Sequence, residues 1–218
     1  MGFQAYATSG SGGVNICDPV ALNTINKTVS NGIYATPQTT MGGTLAFDGT
    51  YLYAITADSN AYLLKCKPTD PTPVWTICNG GVGLPGGTSV WQGYNSIFDG
   101  VFIYFLSNNG HLFRYNILSD TIYFMRNMSY TNNPAFVWNG TDTIYITQMG
   151  YTGNGVLTYS KYNYLTNTWT DGCTITAAFV EQQVVGMWYS GGIFYRAATY
   201  SGAMFIQHGT ETGNTMTF

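Results

Sequence analysis

The chain has 218 residues; 45% are hydrophobic and 16% aromatic, with 18 Tyr, but only 8% are charged and the formal net charge is −3. Soluble proteins average about 25% charged residues, so Asn, Thr, Ser, Gly and Tyr hydroxyls must keep this surface wet, and the singly scattered Lys and Arg form no basic stripe for binding nucleic-acid phosphates. No run reaches the ~18 apolar residues of a membrane helix, and the start, MGFQAYATSG, has neither the regions of a signal peptide nor, with Tyr6 in place, a myristoylation pattern.

In chain order, residues 1–41 offer four short strand candidates, FQAYAT, GVNIC, ALNTINKTV and NGIYA. At 44–55 stands TLAFDGTYLYAI: an apolar run ending in an aromatic, a turn, then a Tyr-rich strand. The pattern returns as NSIFDGVFIYFL at 95–106, AFVWNGTDTIYI at 135–146 and VGMWYSGGIFYRA at 185–197. With the anchoring aromatics at Phe47, Phe98, Trp138 and Trp188, the intervals are 51, 40 and 50 residues. Self-similarity at a period of about 40–50 residues marks repeat architectures, blades among them. The dipeptides Asp48-Gly49, Asp99-Gly100 and Asn139-Gly140 predict type I′ turns, with positive φ at both central residues, and Ser190-Gly191-Gly192 a slightly longer loop.

Each copy is followed by a second strand–turn–strand segment: 61–78, 111–125, 156–170 and 203–218. Side chains there roughly alternate, and no stretch carries the i, i+3, i+4 apolar stripe of a helix. Four strands per unit at this period predict an all-β fold, a single β-propeller spanning 1–218, with another small antiparallel β-repeat architecture as the alternative. The blades fall at about 1–41, 42–80, 93–126, 134–173 and 183–218, and the strand-like Thr215–Phe218 points to a closing blade shared between the two termini. Among four cysteines, Cys66 and Cys78 flank the proline-bearing KPTDPTPVWTI, so a hairpin there would place them on neighbouring strands as a disulfide pair, with two buried free thiols as the other reading.

The segment YNYLTNTW, 162–169, with the following Thr170, resembles the end of a kelch repeat, where an aromatic and a Trp bracket a polar turn. That family's double glycine is absent: SNNG and MGYTGNG stand in its place. In size the chain is similar to the five-bladed lectins of the tachylectin type, which implies five blades. In propellers generally the first strand of each blade lines a central channel. The loops joining second to third strands and blade to blade form the ligand face, while the Asp-Gly turns lie opposite. On this resemblance Asp48 and Asp99 act as turn formers.

Three function classes follow. Propeller glycosidases need carboxylates converging in the channel, a catalytic pair standing about 5–9.5 Å apart. Here Asp48, Asp99 and Asp142 fall on the hairpin side, Asp70, Asp120 and Glu211 in outer turns, and Asp58, Asp171 and Glu181 in loops. His111 and His208 have no nucleophile beside them. No catalytic residue, metal site or cofactor is expected. Glycan binding needs aromatic faces and amides rather than charge. The expected ligand face offers Trp91, Gln92 and Tyr94 from the 79–94 linker, with Asn108, Asn109, Tyr130, Asn132, Asn133, Tyr151, Asn154 and Tyr200. Trp91 covering the core is the plainer alternative. The third class is a structural or adhesive disk, since Tyr-rich, charge-poor surfaces suit large contacts with copies of itself or other surface proteins. The composition resembles exported and virion proteins, so a virus particle or another extracellular assembly is the expected setting. Three sequons, at Asn26, Asn127 and Asn139, matter only on such a route.

Overall fold

The computed structural model describes residues 41–56, 61–70, 73–85, 96–106, 110–128, 135–147, 157–176, 183–200 and 203–218. These residues are almost all strand or turn, and the single helical piece among them is a 3-10 turn at Asn79–Gly81. Four strands make each of four units. The first holds β1 (Met41–Phe47), β2 (Leu52–Thr56), β3 (Leu63–Cys66) and β4 (Thr76–Ile77). The second holds β5 (Ile97–Phe98), β6 (Phe102–Leu106), β7 (His111–Asn116) and β8 (Thr121–Asn127). The third holds β9 (Ala135–Trp138), β10 (Thr143–Thr147), β11 (Leu157–Asn163) and β12 (Thr168–Thr176). The fourth holds β13 (Gln183–Ser190), β14 (Ile193–Tyr200), β15 (Ala203–Thr212) and β16 (Thr215–Thr217).

Within each unit the strands pair antiparallel in chain order, as hairpin-linked strands must. The third and fourth units fuse into one eight-stranded sheet, because β12 and β16 run parallel, with Thr174, Ile175 and Thr176 opposite Thr215, Met216 and Thr217. The two edges of that sheet, β9 and β13, also lie side by side, so it curls nearly closed, like a barrel. First strands neighbour one another in succession, β1 beside β5, β5 beside β9 and β9 beside β13. The result is an all-β, propeller-like arrangement of blade-like sheets.

Burial explains why these sequences stack. β2, β6 and β10 share one pattern, a half-buried first residue followed by four buried ones. A strand buried on both faces loses polar–apolar alternation, which is why LYAIT, FIYFL and TIYIT read as continuous apolar runs. Successive units meet through mixed clusters. Tyr53, Ile55 and Leu63 of the first pack with Ile103, Phe105 and Phe113 of the second. Tyr104, Leu106 and Leu112 of the second meet Trp138, Ile144, Ile146 and Tyr162 of the third. Val137, Tyr145 and Tyr159 of the third meet Met187, Phe194 and Met216 of the fourth. Each such buried aliphatic or aromatic side chain contributes about 1.5–3 kcal/mol over leaving it in water.

Register refines the repeat. Phe47 pairs with Leu52, Phe98 with Ile103 and Trp138 with Ile144, and the matching pair in the fourth unit is Tyr189 with Phe194. The fourth anchor is therefore Tyr189 rather than Trp188. Phe98, Trp138 and Tyr189 all pack toward the preceding unit. Trp188 sits on the opposite face, because neighbouring residues on a strand point to opposite sides.

Three further expectations bear on turns, the C-terminal strand and the cysteines. The first concerns the turns. In the first three units only the glycine takes positive φ, at 95° for Gly49, 102° for Gly100 and 82° for Gly140. Asp48, Asp99 and Asn139 instead cap longer loops through their side chains, so these are not type I′ turns. Among the described residues the two-residue hairpin with positive φ at both positions occurs once, at Gly191 (57°) and Gly192 (86°), between paired Ser190 and Ile193. The second concerns the C-terminal strand. Thr215–Thr217 is the outer strand of the fourth unit, paired with β15 and β12, and the N-terminal residues expected to share its blade lie outside the described residues.

The third concerns Cys66 and Cys78, which are buried free thiols. Leu64 stands opposite Ile77 and Lys65 opposite Thr76, so Cys66 faces position 75 while Cys78 donates its amide to Leu63. Three residues of ladder, about 10 Å, and opposite sheet faces separate the sulfurs. Cys66 packs with Leu64 and Trp75, and Cys78 with Leu63 and Tyr53. Burial pushes both thiols up to about 11, which keeps them protonated and unreactive at neutral pH.

Candidate functional site

The carboxylates show what the acidic residues do. Asp48 Oδ1 accepts the amides of Thr50 and Tyr51 at 2.7 and 2.6 Å, while Oδ2 accepts the Tyr53 hydroxyl at 2.8 Å. Asp99 repeats this with Val101, Phe102 and Tyr104, at 2.8, 2.7 and 2.9 Å. One carboxylate thus caps the turn and latches a tyrosine that is 1% exposed. Burial, with the adjacent carboxylate, pushes the Tyr53 and Tyr104 hydroxyls far above their usual range.

The turns between third and fourth strands use the same device. Asn116 Oδ1 accepts the amides of Leu118 and Ser119, and Asn163 Oδ1 those of Leu165 and Thr166. Tyr115 donates to Asp120 at 2.7 Å and Tyr162 to Asn167 at 2.9 Å. This is the local reason for the YNYLTNTW pattern, and Tyr162 and Trp169 do pack together across paired strands, their rings tilted by 31° with 4.7 Å between centroids.

Other carboxylates join units. Asp120 accepts the amides of Asn79 and Gly80, each at 3.1 Å, tying the second unit to the first. Burial alone would raise its pKa, but the Tyr115 hydroxyl and those two amides hold it below the usual carboxylate range. Asp142 is held low by Asn139 and Thr143. Asp171 was expected in a loop of the ligand face, but it lies within β12. There Arg126 grips it with two bonds of 3.1 and 2.8 Å and Ser160 with one of 2.8 Å, and the guanidinium holds its carboxyl low.

Glu211 was expected in an outer turn. It lies in β15 and points between the third and fourth units, where it accepts Tyr145 at 2.9 Å and Tyr159 at 2.5 Å and pairs with Lys161 at 3.0 Å. Sequence reading missed this joint because its members are spread from 145 to 211. Arg196 is fully buried; its Nε donates to Gln207 at 2.9 Å and its guanidinium lies 4.1 Å over the Phe218 ring. His111 is edge-on to Phe124 at 5.6 Å, while His208 lies exposed on β15.

The predicted ligand-face residues Trp91, Gln92, Tyr94, Asn108, Asn109, Tyr130, Asn132, Asn133, Tyr151 and Asn154 lie outside the described residues. Tyr200 is the last residue of β14, its backbone opposite Ala203. The strand ends that flank these positions are described. Residues 107–109 follow β6, 148–156 follow β10 and 201–202 follow β14, so they occupy the equivalent second-to-third connection of three units.

No family model matches the chain, and neither does any curated protein sequence. Solved structures do resemble it. A computationally designed protein, Ika4, matches 80% of this chain and 94% of its own length, at 11% identity and a TM-score of 0.51. U3-55K matches over 78% of this chain and 50% of its own length, with 13% identity and a TM-score of 0.52. YjhT matches over 79% of this chain and 66% of its own length, with 14% identity and a TM-score of 0.52. At such identities the likeness is one of fold alone.

Proposed function

We propose that the chain is a non-enzymatic recognition or structural module of five units, with residues 1–40 supplying the one that precedes β1. The observation that carries this reading is the use made of six of the seven acids among the described residues. Asp48, Asp99, Asp120, Asp142, Asp171 and Glu211 each serve a turn or a joint between units. A carboxylate saturated by backbone amides, hydroxyls and guanidinium is a poor general base. Rigid turns on a charge-poor, Tyr-rich body suit contact over area, with copies of itself or with other surface proteins.

The setting that fits this composition is a virus particle or another extracellular assembly, where the module attaches or packs. Glycan binding at Trp91, Gln92, Tyr94 and the Asn-Tyr connections is the second reading, since sugars are held by aromatic faces and amides without net charge. Light scattering on purified protein across a wide concentration range separates the two: self-association supports packing, and a strict monomer at high concentration removes it. A glycan array tests attachment, and an array with no bound glycan eliminates the lectin reading.

A further inference from the structure

The four units are alike in strand order but unlike in what covers them. Each presents one face to the next unit, and register identifies the equivalent positions. Tyr53, Tyr104 and Tyr145 match Tyr195; Leu63, Leu112 and Tyr159 match Ile206. Leu63, Leu112 and Tyr159 are 2%, 0% and 0% exposed, yet Ile206 is 69% exposed, and Met204 beside it 67%. Ala46, Ile97 and Val137 are buried where Trp188 is only half-buried, stacked on Tyr195 at 5.4 Å. The open face thus carries Trp188, Tyr195, Ala197, Met204, Ile206 and His208, with no Asp, Glu, Lys or Arg among its described residues.

At the other end of the series, the first unit shows the complementary condition. Ala54, Leu64, Cys66 and Trp75 form a buried cluster on the face turned away from the second unit, and every member belongs to the first unit. No other described unit joins a core cluster on either of these two faces. Forty residues precede Met41, against repeat spacings of 40 to 51. They hold only two charged side chains, Asp18 and Lys27, alongside Phe3, Tyr6, Val14, Ile16, Leu22 and Ile25, a composition that matches an uncharged apolar face.

We propose that residues 1–40 dock on the open face of the fourth unit in the same chain, covering Trp188, Tyr195, Met204 and Ile206. This rests on the five-unit reading above and assigns its contact. The joint is the one place where neighbouring units are not consecutive in sequence. Removing a face of this kind from water is the main reason for the fifth unit to hold its place.

The test uses the full chain with Cys17→Ser and one introduced thiol, either Ile206→Cys or Met204→Cys. Leu118→Cys, at a turn tip that is 89% exposed, is the reference. Thiol-reagent rates are read beside deuterium exchange over residues 1–40. The expected result is at least a tenfold slower reaction at both 206 and 204 than at 118, independent of protein concentration, with protected amides within 1–40. Fast reaction at 206 and 204 with 1–40 protected overturns the docking and leaves the fifth unit standing. Unprotected amides throughout 1–40 overturn both. Slow reaction that appears only as concentration rises gives the face to a second copy and overturns the proposal.

Discussion

Replacing Asp99 by Ala removes three acceptor contacts at once: the amides of Val101 and Phe102 and the hydroxyl of Tyr104. The amides lie at a half-exposed turn where water replaces the carboxylate, so their loss costs about 1 kcal/mol, as for other capping residues. The tyrosine hydroxyl sits on a side chain that is 1% exposed, and leaving such a donor unsatisfied costs about 1–3 kcal/mol. Asp99→Ala is therefore expected to cost about 2–4 kcal/mol. Tyr104→Phe removes the donor itself and leaves a solvated carboxylate still capping its turn, so about 0.5–1.5 kcal/mol is expected. Urea unfolding gives both, as a shift in midpoint at constant slope. A coupling of at least about 1 kcal/mol should appear when the two changes are combined. If Tyr104→Phe costs as much as Asp99→Ala, or the double variant is simply additive, the latch is not what the carboxylate contributes.

Glu211→Ala should be worse still, by about 3–5 kcal/mol, because it strands the hydroxyls of Tyr145 and Tyr159 between units and removes the counter-charge of Lys161, leaving its ammonium only the Gly213 carbonyl; unfolding curves with Glu211→Gln as the milder companion check this. Gly209→Ala should destabilise by more than about 2 kcal/mol, since its Cβ would stand 2.0 Å from the Thr217 carbonyl oxygen, a backbone atom that moves only if β16 does. Intact-mass measurement should find Cys66 and Cys78 both reduced, and a thiol reagent should reach them only as the protein unfolds. Stability should fall in acid: Asp120, Asp142 and Asp171 are held below their usual range in the fold, so their contribution is full above the unfolded value near pH 4 and disappears as pH drops through the lower folded values. A pH series of melting temperatures that stays flat from pH 6 to pH 2 would refute it.

The repeat was legible because its marks are local. An aromatic, an Asp-Gly or Asn-Gly pair and a Tyr-rich strand lie within twelve residues, and the physics that selects them acts over one hairpin. The fourth anchor slipped by one residue because Trp188 and Tyr189 are both aromatic, and only the ladder distinguishes which faces the third unit. Sequence left Cys66 and Cys78 open between a disulfide and two buried free thiols for a related reason: it places them on either side of a hairpin but does not give the three-residue offset that turns them to opposite faces. The Glu211 joint and the parallel pairing of β12 with β16 link residues tens of positions apart, and no local pattern announces them. Among the candidate ligand residues, only Tyr200 falls on a described strand; the others were placed by their order in the repeat.

That parallel pairing has a consequence for how the molecule comes apart. The first two units are separate sheets, joined to their neighbours chiefly by side chains, whereas the third and fourth share one continuous hydrogen-bonded sheet. Opening the contact between the first and second units breaks packing and a few bonds; opening that between the third and fourth also requires unzipping Thr174–Thr176 from Thr215–Thr217. Hydrogen exchange is therefore expected to find the amides of β9–β16 opening as one cooperative unit, after those of β1–β8.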